Sequence, residues 1–82
     1  KPVVFPANPN NFNPRGLTRT VLPGTKNGKI IQWKAGKEWV FRWDENTTKV
    51  NGSHYHVNTD YFKNFHFYPG SPVPEPYATI FF

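Results

Sequence analysis

Alternating apolar and polar residues mark two short segments as β-strands that each have one apolar and one polar face. Residues 38–44 read EWVFRWD, so three aromatic rings fall on one face and Glu, Val, Arg and Asp fall on the other. Residues 53–58 read SHYHVN, so Tyr55 and Val57 fall on one face, and two histidines and an asparagine fall on the other. An Asn-Gly turn signal lies between the two segments. The pattern therefore predicts that the strands pair with their apolar faces in the core.

Turn residues divide the remaining chain into further strand candidates. These strands are predicted at residues 17–22, 29–33, 61–68 and 77–82. No window shows the period of a helix, and one short helix is predicted at residues 44–50 or 58–64. The predicted fold class is mostly β, with α+β as the alternative, in the form of a small twisted antiparallel sheet or a partial barrel.

The first sixteen residues follow neither pattern, because four prolines and four asparagines lie among them. We therefore predict an irregular Pro/Asn-rich N-terminal arm at residues 1–16, followed by a single compact β-rich domain at residues 17–82. Phe5 and Phe12 are the residues expected to attach the arm to that domain.

Composition limits what can stabilise the chain. There is no Cys, so neither a disulfide nor a thiolate zinc site can form. Stability must come from the eight Phe, four Tyr and three Trp that the 82 residues contain. The absence of Met and of a long apolar run suggests a fragment of a larger carrier protein, with no signal peptide and no membrane span.

Charge points to a polyanion as partner. Ten Lys and Arg against five Asp and Glu give a net charge of +5 and a pI of about 9.8. Nucleic acid, an acidic membrane face or an acidic protein would each satisfy this balance, and so would a merely solvated basic surface with core tryptophans. On the nucleic-acid interpretation, the predicted substrate-binding residues are Arg15, Arg19, Lys29, Lys37, Trp33 and His66.

The polar strand faces carry candidate chemistry for cutting RNA. Cleavage without a metal needs a base for the 2′-hydroxyl, an acid for the leaving 5′-oxygen and a cation for the charged phosphorane. His54 and His56 titrate near neutrality and share a face, and Arg42 suits phosphate. Asp44 or Glu38 is an alternative base or an orienting group. The predicted catalytic residues are His54, His56, Arg42 and Asp44, with no metal and no cofactor.

Two other interpretations of the histidines stay open. They are ordinary exposed or hydrogen-bonded side chains, or they bind a metal, because imidazoles two residues apart on a strand suit zinc, copper or iron. A third metal ligand would then come from His66, Asp44 or Asp60. His66 itself is either a half-buried structural residue or a member of the site.

The residues 41–44, FRWD, followed by residues 52–57, GSHYHV, resemble the C-terminal toxin domains of bacterial polymorphic toxins of the contact-dependent inhibition and Rhs types. The resemblance covers about residues 29–68. It implies a secreted or delivered endoribonuclease used in bacterial competition, with a curved antiparallel sheet as in the barnase–EndoU–colicin–RelE group. Such a toxin would cleave tRNA or rRNA in the target-cell cytoplasm and be neutralised by an immunity protein, which we expect to be acidic. The chain departs from that group in lacking a clear N-terminal helix.

Two further functions compete with the ribonuclease. A non-catalytic module that binds nucleic acid or carbohydrate would use exposed Trp and Tyr rings, and the salt dependence of binding separates these two ligands. A metal-dependent enzyme or a cupin-like fragment would be identified by its sensitivity to a chelator.

Overall fold

The computed structural model describes residues 3–24, 28–45, 52–62 and 65–82. Their centre is an open antiparallel sheet of four strands, arranged in the order in which they occur in the chain. The strands are β1 (Thr18–Pro23), β2 (Lys29–Ala35), β3 (Glu38–Asp44) and β4 (His54–Val57). The predicted mostly β fold class is confirmed, and so is the antiparallel pairing of β3 with β4.

One face of the sheet forms an aromatic core, as the alternation predicts. The side chains of Ile31, Trp33, Phe41, Trp43, Tyr55 and Val57 are buried there. Phe5 and Phe12 cover them, with ring centroids 4.7 Å apart for Phe5 and Tyr55 and 4.9 Å apart for Phe12 and Trp33. The two rings that were expected to attach the N-terminal segment therefore do so from within the core.

Backbone hydrogen bonds also tie the N-terminal segment to the C-terminal part of the chain. Phe5 donates its N–H to the Ser71 carbonyl at 2.9 Å, and Gly70 donates to the Phe5 carbonyl at 2.8 Å. A 3₁₀ turn at Pro9–Asn11 follows, capped by the side chain of Asn8. The segment has little regular structure, as predicted, yet its backbone is anchored on both sides of Phe5.

A bulge in the β2–β3 hairpin changes the alternation on β3. Trp33 pairs with Phe41 while Lys34 pairs with Trp39, which leaves Val40 without a partner on β2. Because of this extra residue, the side chain before it lies on the face opposite to the one that strict alternation predicts. The Trp39 ring consequently lies under the Arg42 guanidinium, 5.1 Å from centroid to carbon, and not on the core face that strict alternation predicts.

Two of the predicted strands are wrong. Residues 59–62 form a bend and turn, and of the described residues 61–62 and 65–68 only Phe67 pairs, through two hydrogen bonds with Tyr55. The C-terminal segment forms helix α1 (Tyr77–Phe81) instead of a strand. The rings of Tyr77 and Phe81, one helical turn apart, both pack against Phe41, so tertiary contact overrides the β propensity of these residues.

The two positions proposed for a short helix give no helix where the structure describes them. Asp44 ends β3, and the stretch that follows Glu45 lies outside the described residues. Residues 59–62 are bend and turn, residue 58 is irregular, and residues 63–64 lie outside the described part. None of the helices in the described ranges has the length and apolarity required to cross a bilayer.

Candidate active site

The four predicted catalytic residues meet on the open face of the sheet, opposite the core. In the register of β3 and β4, Asp44 lies directly across from His54 and Arg42 directly across from His56. Because Tyr55 and Val57 face the core, the alternating side chains of His54 and His56 face the other way. Strand pairing alone therefore brings two imidazoles, a carboxylate and a guanidinium together.

Asp44 is held by Arg42 on one side. Arg42 donates from Nη2 to Asp44 Oδ2 at 2.9 Å, and its Nε lies 2.9 Å from Asp44 Oδ1 without the alignment of a hydrogen bond. Both side chains are half-buried. Trp39 supports the guanidinium from beneath, which orients its planar fork. The carboxylate is thus a fixed charge between Arg42 and the histidines.

The same carboxylate oxygen faces both strand histidines. Asp44 Oδ2 lies 3.3 Å from His56 Nε2 and 3.7 Å from His54 Nε2. The Nδ1 of His54 lies 2.7 Å from the Gly52 carbonyl, which only accepts hydrogen bonds. Nδ1 must therefore carry hydrogen, and Nε2 of the neutral ring presents a lone pair to the cluster. Asp44 Oδ2 and that nitrogen then face each other as two acceptors, an arrangement that a proton or a cation stabilises.

His66 joins this cluster from outside the sheet. Its ring stacks on His54 with centroids 4.1 Å apart and lies 5.1 Å from the ring of His56. The cause is the pairing of Phe67 with Tyr55, which brings the residue before Phe67 alongside β4. One ring nitrogen from each of the three histidines lies within 4.8 Å of the others. His66 is exposed and therefore lies beside the predicted catalytic residues, not half-buried in the core.

His56 is the most enclosed of the cluster, with 7 % of its surface exposed. Burial lowers the pKa of His56 below its ordinary value of 6.5, against the opposing attraction of Asp44. The charges of Arg42, His54 and His66 lower it further. His56 is accordingly neutral at neutral pH, which is the form that accepts a proton or binds a metal.

Several predicted substrate-binding residues lie elsewhere. Trp33 is only 2 % exposed and belongs to the core, so its assignment as a base-stacking ring is wrong. Arg19 pairs with Trp33, which places it on the face opposite the histidines, where it donates to Asn10 Oδ1 at 2.7 Å. Arg15 donates its backbone N–H to the Phe81 carbonyl, and its side chain is exposed.

The two predicted substrate-binding lysines lie at opposite ends of the sheet, and Glu38 lies at the same end as Lys37. The backbone of Lys29 bonds to Glu45 beside the end of β3 that carries Asp44. Lys37 lies in the hairpin turn, and Glu38 begins β3 six residues before Asp44, about 20 Å away at roughly 3.3 Å per residue. Glu38 is therefore too far away to be the alternative base, and Asp60 lies exposed in the turn after β4.

Residues outside the predicted site set also share the open face. Lys34 pairs with Trp39, and Gln32 pairs with Arg42, so both lie on the face of the cluster. Tyr68 approaches from the segment after Phe67, with its ring 6.2 Å from that of His54. Alternation from the buried Trp33 predicts that Gln32 and Lys34 face away from the core. The position of Tyr68 depends on the long-range pairing of Phe67 with Tyr55.

No protein-family model, curated protein or solved structure matches this chain. The resemblance to polymorphic toxin domains therefore stays a prediction, and the functional argument rests on the site.

Proposed function

We propose that this domain is a metal-independent endoribonuclease that cleaves tRNA or rRNA by histidine-based acid and base chemistry. The observation that supports it best is the convergence of His54, His56, Arg42 and Asp44 through the β3–β4 register. These groups match the base, acid and cation that the reaction needs. The net charge of +5 favours a polyanionic substrate.

The arrangement suggests separate roles for the two strand histidines. Neutral His56 takes the proton of the 2′-hydroxyl, and the 2′-oxygen attacks phosphorus. The bond from phosphorus to the 5′-oxygen then breaks, and protonated His54 gives its Nε2 proton to that oxygen. Asp44, 3.7 Å from the same nitrogen, stabilises the charged imidazole.

Arg42 is the group proposed to stabilise the phosphorane. Its contacts with Asp44 involve two of its five N–H groups, and the side chain is 30 % exposed. Among the described residues, no other side-chain hydrogen bond of Arg42 involves the remaining donors, and we propose that these bind phosphate oxygens. Because the guanidinium rests on Trp39 and is paired with Asp44, it is oriented before substrate binds, which makes the stabilisation effective.

The biological part of the proposal follows from the toxin resemblance. The domain would be delivered by a producing bacterium as the tip of a larger carrier and would act in the cytoplasm of the target cell. An acidic immunity protein would cover the histidine face in the producer, because opposite charge speeds and orients such association.

The test is incubation of the purified domain with total bacterial RNA in EDTA, comparing Arg42→Gln and His54→Gln with Arg19→Gln. Arg19 is the matched control, since it lies on the opposite face of the same sheet. We expect discrete cleavage that the first two variants slow by about 10²- to 10⁴-fold and that Arg19→Gln leaves within about twofold. Intact RNA with the unaltered domain, or equal loss in all three variants, contradicts the proposal.

A non-catalytic binding module is the second candidate, and exposed rings favour it. Tyr61 is 73 % exposed, and Phe65 and Tyr68 are also exposed. Such rings stack on bases or on sugars. Tight binding of RNA without cleavage, weakened by salt, would support this candidate for nucleic acid, and salt-independent binding of a glycan would support it for carbohydrate.

A further inference from the structure

The donor atoms of the histidine cluster have the spacing of a metal site. Donors around a tetrahedral zinc ion at about 2.0–2.1 Å lie about 3.3 Å from one another. Asp44 Oδ2 is 3.3 Å from His56 Nε2 and 3.7 Å from His54 Nε2. The ring nitrogens of the three histidines lie within 4.8 Å of one another. Closure around one tetrahedral ion would bring the histidine nitrogens closer by up to about 1.5 Å, which rotation of the side chains can supply.

The orientation of His54 also fits a ligand. Metal-bound imidazoles almost always donate their second N–H to a carbonyl or carboxylate, which directs the other nitrogen at the ion. His54 has this partner in the Gly52 carbonyl, 2.7 Å from Nδ1. Its Nε2 then faces Asp44 Oδ2 as one acceptor facing another. A cation between these atoms would satisfy both.

His66 is the ligand that has to move. Its ring is nearly parallel to that of His54, with 12° between the planes, and two parallel stacked rings cannot both point at one ion. His66 is exposed, so it has room to turn, whereas His54 and His56 are held on β4. The ring of His56 already stands nearly perpendicular to both others, at 78° and 84°, so its plane can contain an ion that lies between the three rings.

Arg42 does not prevent such a site. Its positive charge is compensated by Asp44, and an oxygen of a carboxylate can contact a guanidinium and a metal ion through different lone pairs. Imidazoles with one carboxylate suit zinc among the divalent transition ions. The donor set therefore favours Zn²⁺ over the hard cations Mg²⁺ and Ca²⁺, which prefer oxygen ligands.

We propose that His54, His56 and His66, with Asp44 as the fourth ligand, bind one Zn²⁺ ion, and that this ion inhibits the domain. Binding is a property of the cluster alone. Inhibition rests on the proposed ribonuclease function, because the ion would occupy the two nitrogens that the base and the acid use. The metal is thus a regulator of the site, and cleavage itself proceeds without it.

Binding is measured first, without RNA, by isothermal titration of the chelator-treated domain with zinc sulfate near pH 7.5. The variants are His66→Gln, which removes an exposed ligand, and Asp60→Asn, a matched control in an exposed turn. We expect one ion per chain, about tenfold or more weaker binding for His66→Gln, and binding within about twofold for Asp60→Asn. The proton NMR signals of the three imidazoles should shift when zinc is added to the unaltered domain. The proton NMR spectra of both variants should show that they are folded.

The outcomes separate the two proposals. Absence of zinc binding, or equal binding by His66→Gln, overturns the metal site whatever the domain does to RNA. Zinc binding without any RNA cleavage supports the metal site and contradicts the ribonuclease.

If the domain both binds zinc and cleaves RNA, stoichiometric zinc should stop cleavage and EDTA should restore it. The cleavage rate of each variant with zinc is compared with its own rate without metal, and His66→Gln should need about tenfold more zinc for the same inhibition. Cleavage that continues with zinc bound refutes the inhibition.

Discussion

The Tyr55 hydroxyl joins the strand of the histidines to the N-terminal segment, and Tyr55→Phe removes that bond alone. The ring is fully buried, and its hydroxyl donates to the Pro6 carbonyl at 2.6 Å. Burial raises the pKa of Tyr55 well above its ordinary value of 10.0, so the hydroxyl remains a donor at every pH in ordinary use. Phenylalanine keeps the ring contacts and deletes the donor.

The magnitude follows from the environment of the carbonyl that loses its partner. An unsatisfied buried acceptor costs about 1–3 kcal/mol. Pro6 is half-buried, so water relieves part of this cost, and we expect a loss of about 1–2 kcal/mol. A chain of this size has a free energy of unfolding of about 4–12 kcal/mol, at roughly 0.05–0.15 kcal/mol per residue. The substitution therefore removes a measurable fraction of stability without unfolding the domain.

Urea denaturation followed by tryptophan fluorescence measures the effect. With a slope of about 1 kcal/mol per molar urea, the midpoint should fall by about 1–2 M with the slope unchanged. Tyr61→Phe is the control, because that ring is mostly exposed and should leave the midpoint unaltered. A midpoint shift for Tyr55→Phe no larger than that of the control would refute the reasoning that this bond fixes the N-terminal segment.

Three other substitutions test the core, the hairpin and the site. Phe5→Ala empties a fully buried position and should cost about 3–5 kcal/mol, so the Tm measured by circular dichroism should fall by roughly 12–40 °C, whereas a fall of only a few degrees would mean the arm is dispensable. Gly36 has φ +66° and open space around its Cα, so Gly36→Ala should cost only the roughly 1 kcal/mol of a left-handed alanine in urea denaturation, and no loss would contradict that turn. His56 has a lowered pKa in the fold, so the unfolded chain binds more protons and stability should fall as pH decreases through 6.5 and level off below the folded pKa. His56→Gln, measured in EDTA, should show a shallower fall in unfolding free energy from pH 7 to 5, and an identical slope would argue against a buried neutral imidazole.

The β3–β4 half of the site could be predicted because strand alternation is a local property. Side chains two residues apart share a face in any strand, so the HYH segment placed Tyr55 in the core and the histidines opposite it before any partner strand was known. The predicted pairing followed from the turn between the strands. The aromatic composition likewise indicated the nature of the core, since no other residues could supply its volume.

Tertiary structure decided the features that depend on register and on distant contacts. The bulge at Val40 moved Trp39 to the Arg42 face, and no residue within β3 signals it. Pairing of Phe67 with Tyr55 brought His66 to His54, and no local pattern in the sequence predicts that pairing.

The C-terminal segment shows the same division between local and long-range determinants. Its β-prone sequence predicts a strand, but a helical turn lets Tyr77 and Phe81 reach Phe41 together. By itself, the sequence determined that Tyr55 and Val57 face the core and that the two histidines of β4 share the polar face opposite them. The tertiary structure decided that His66 joins them, because that contact depends on the pairing of distant segments. It also decided the C-terminal helix, because long-range packing outweighs propensities of less than about 1 kcal/mol per residue.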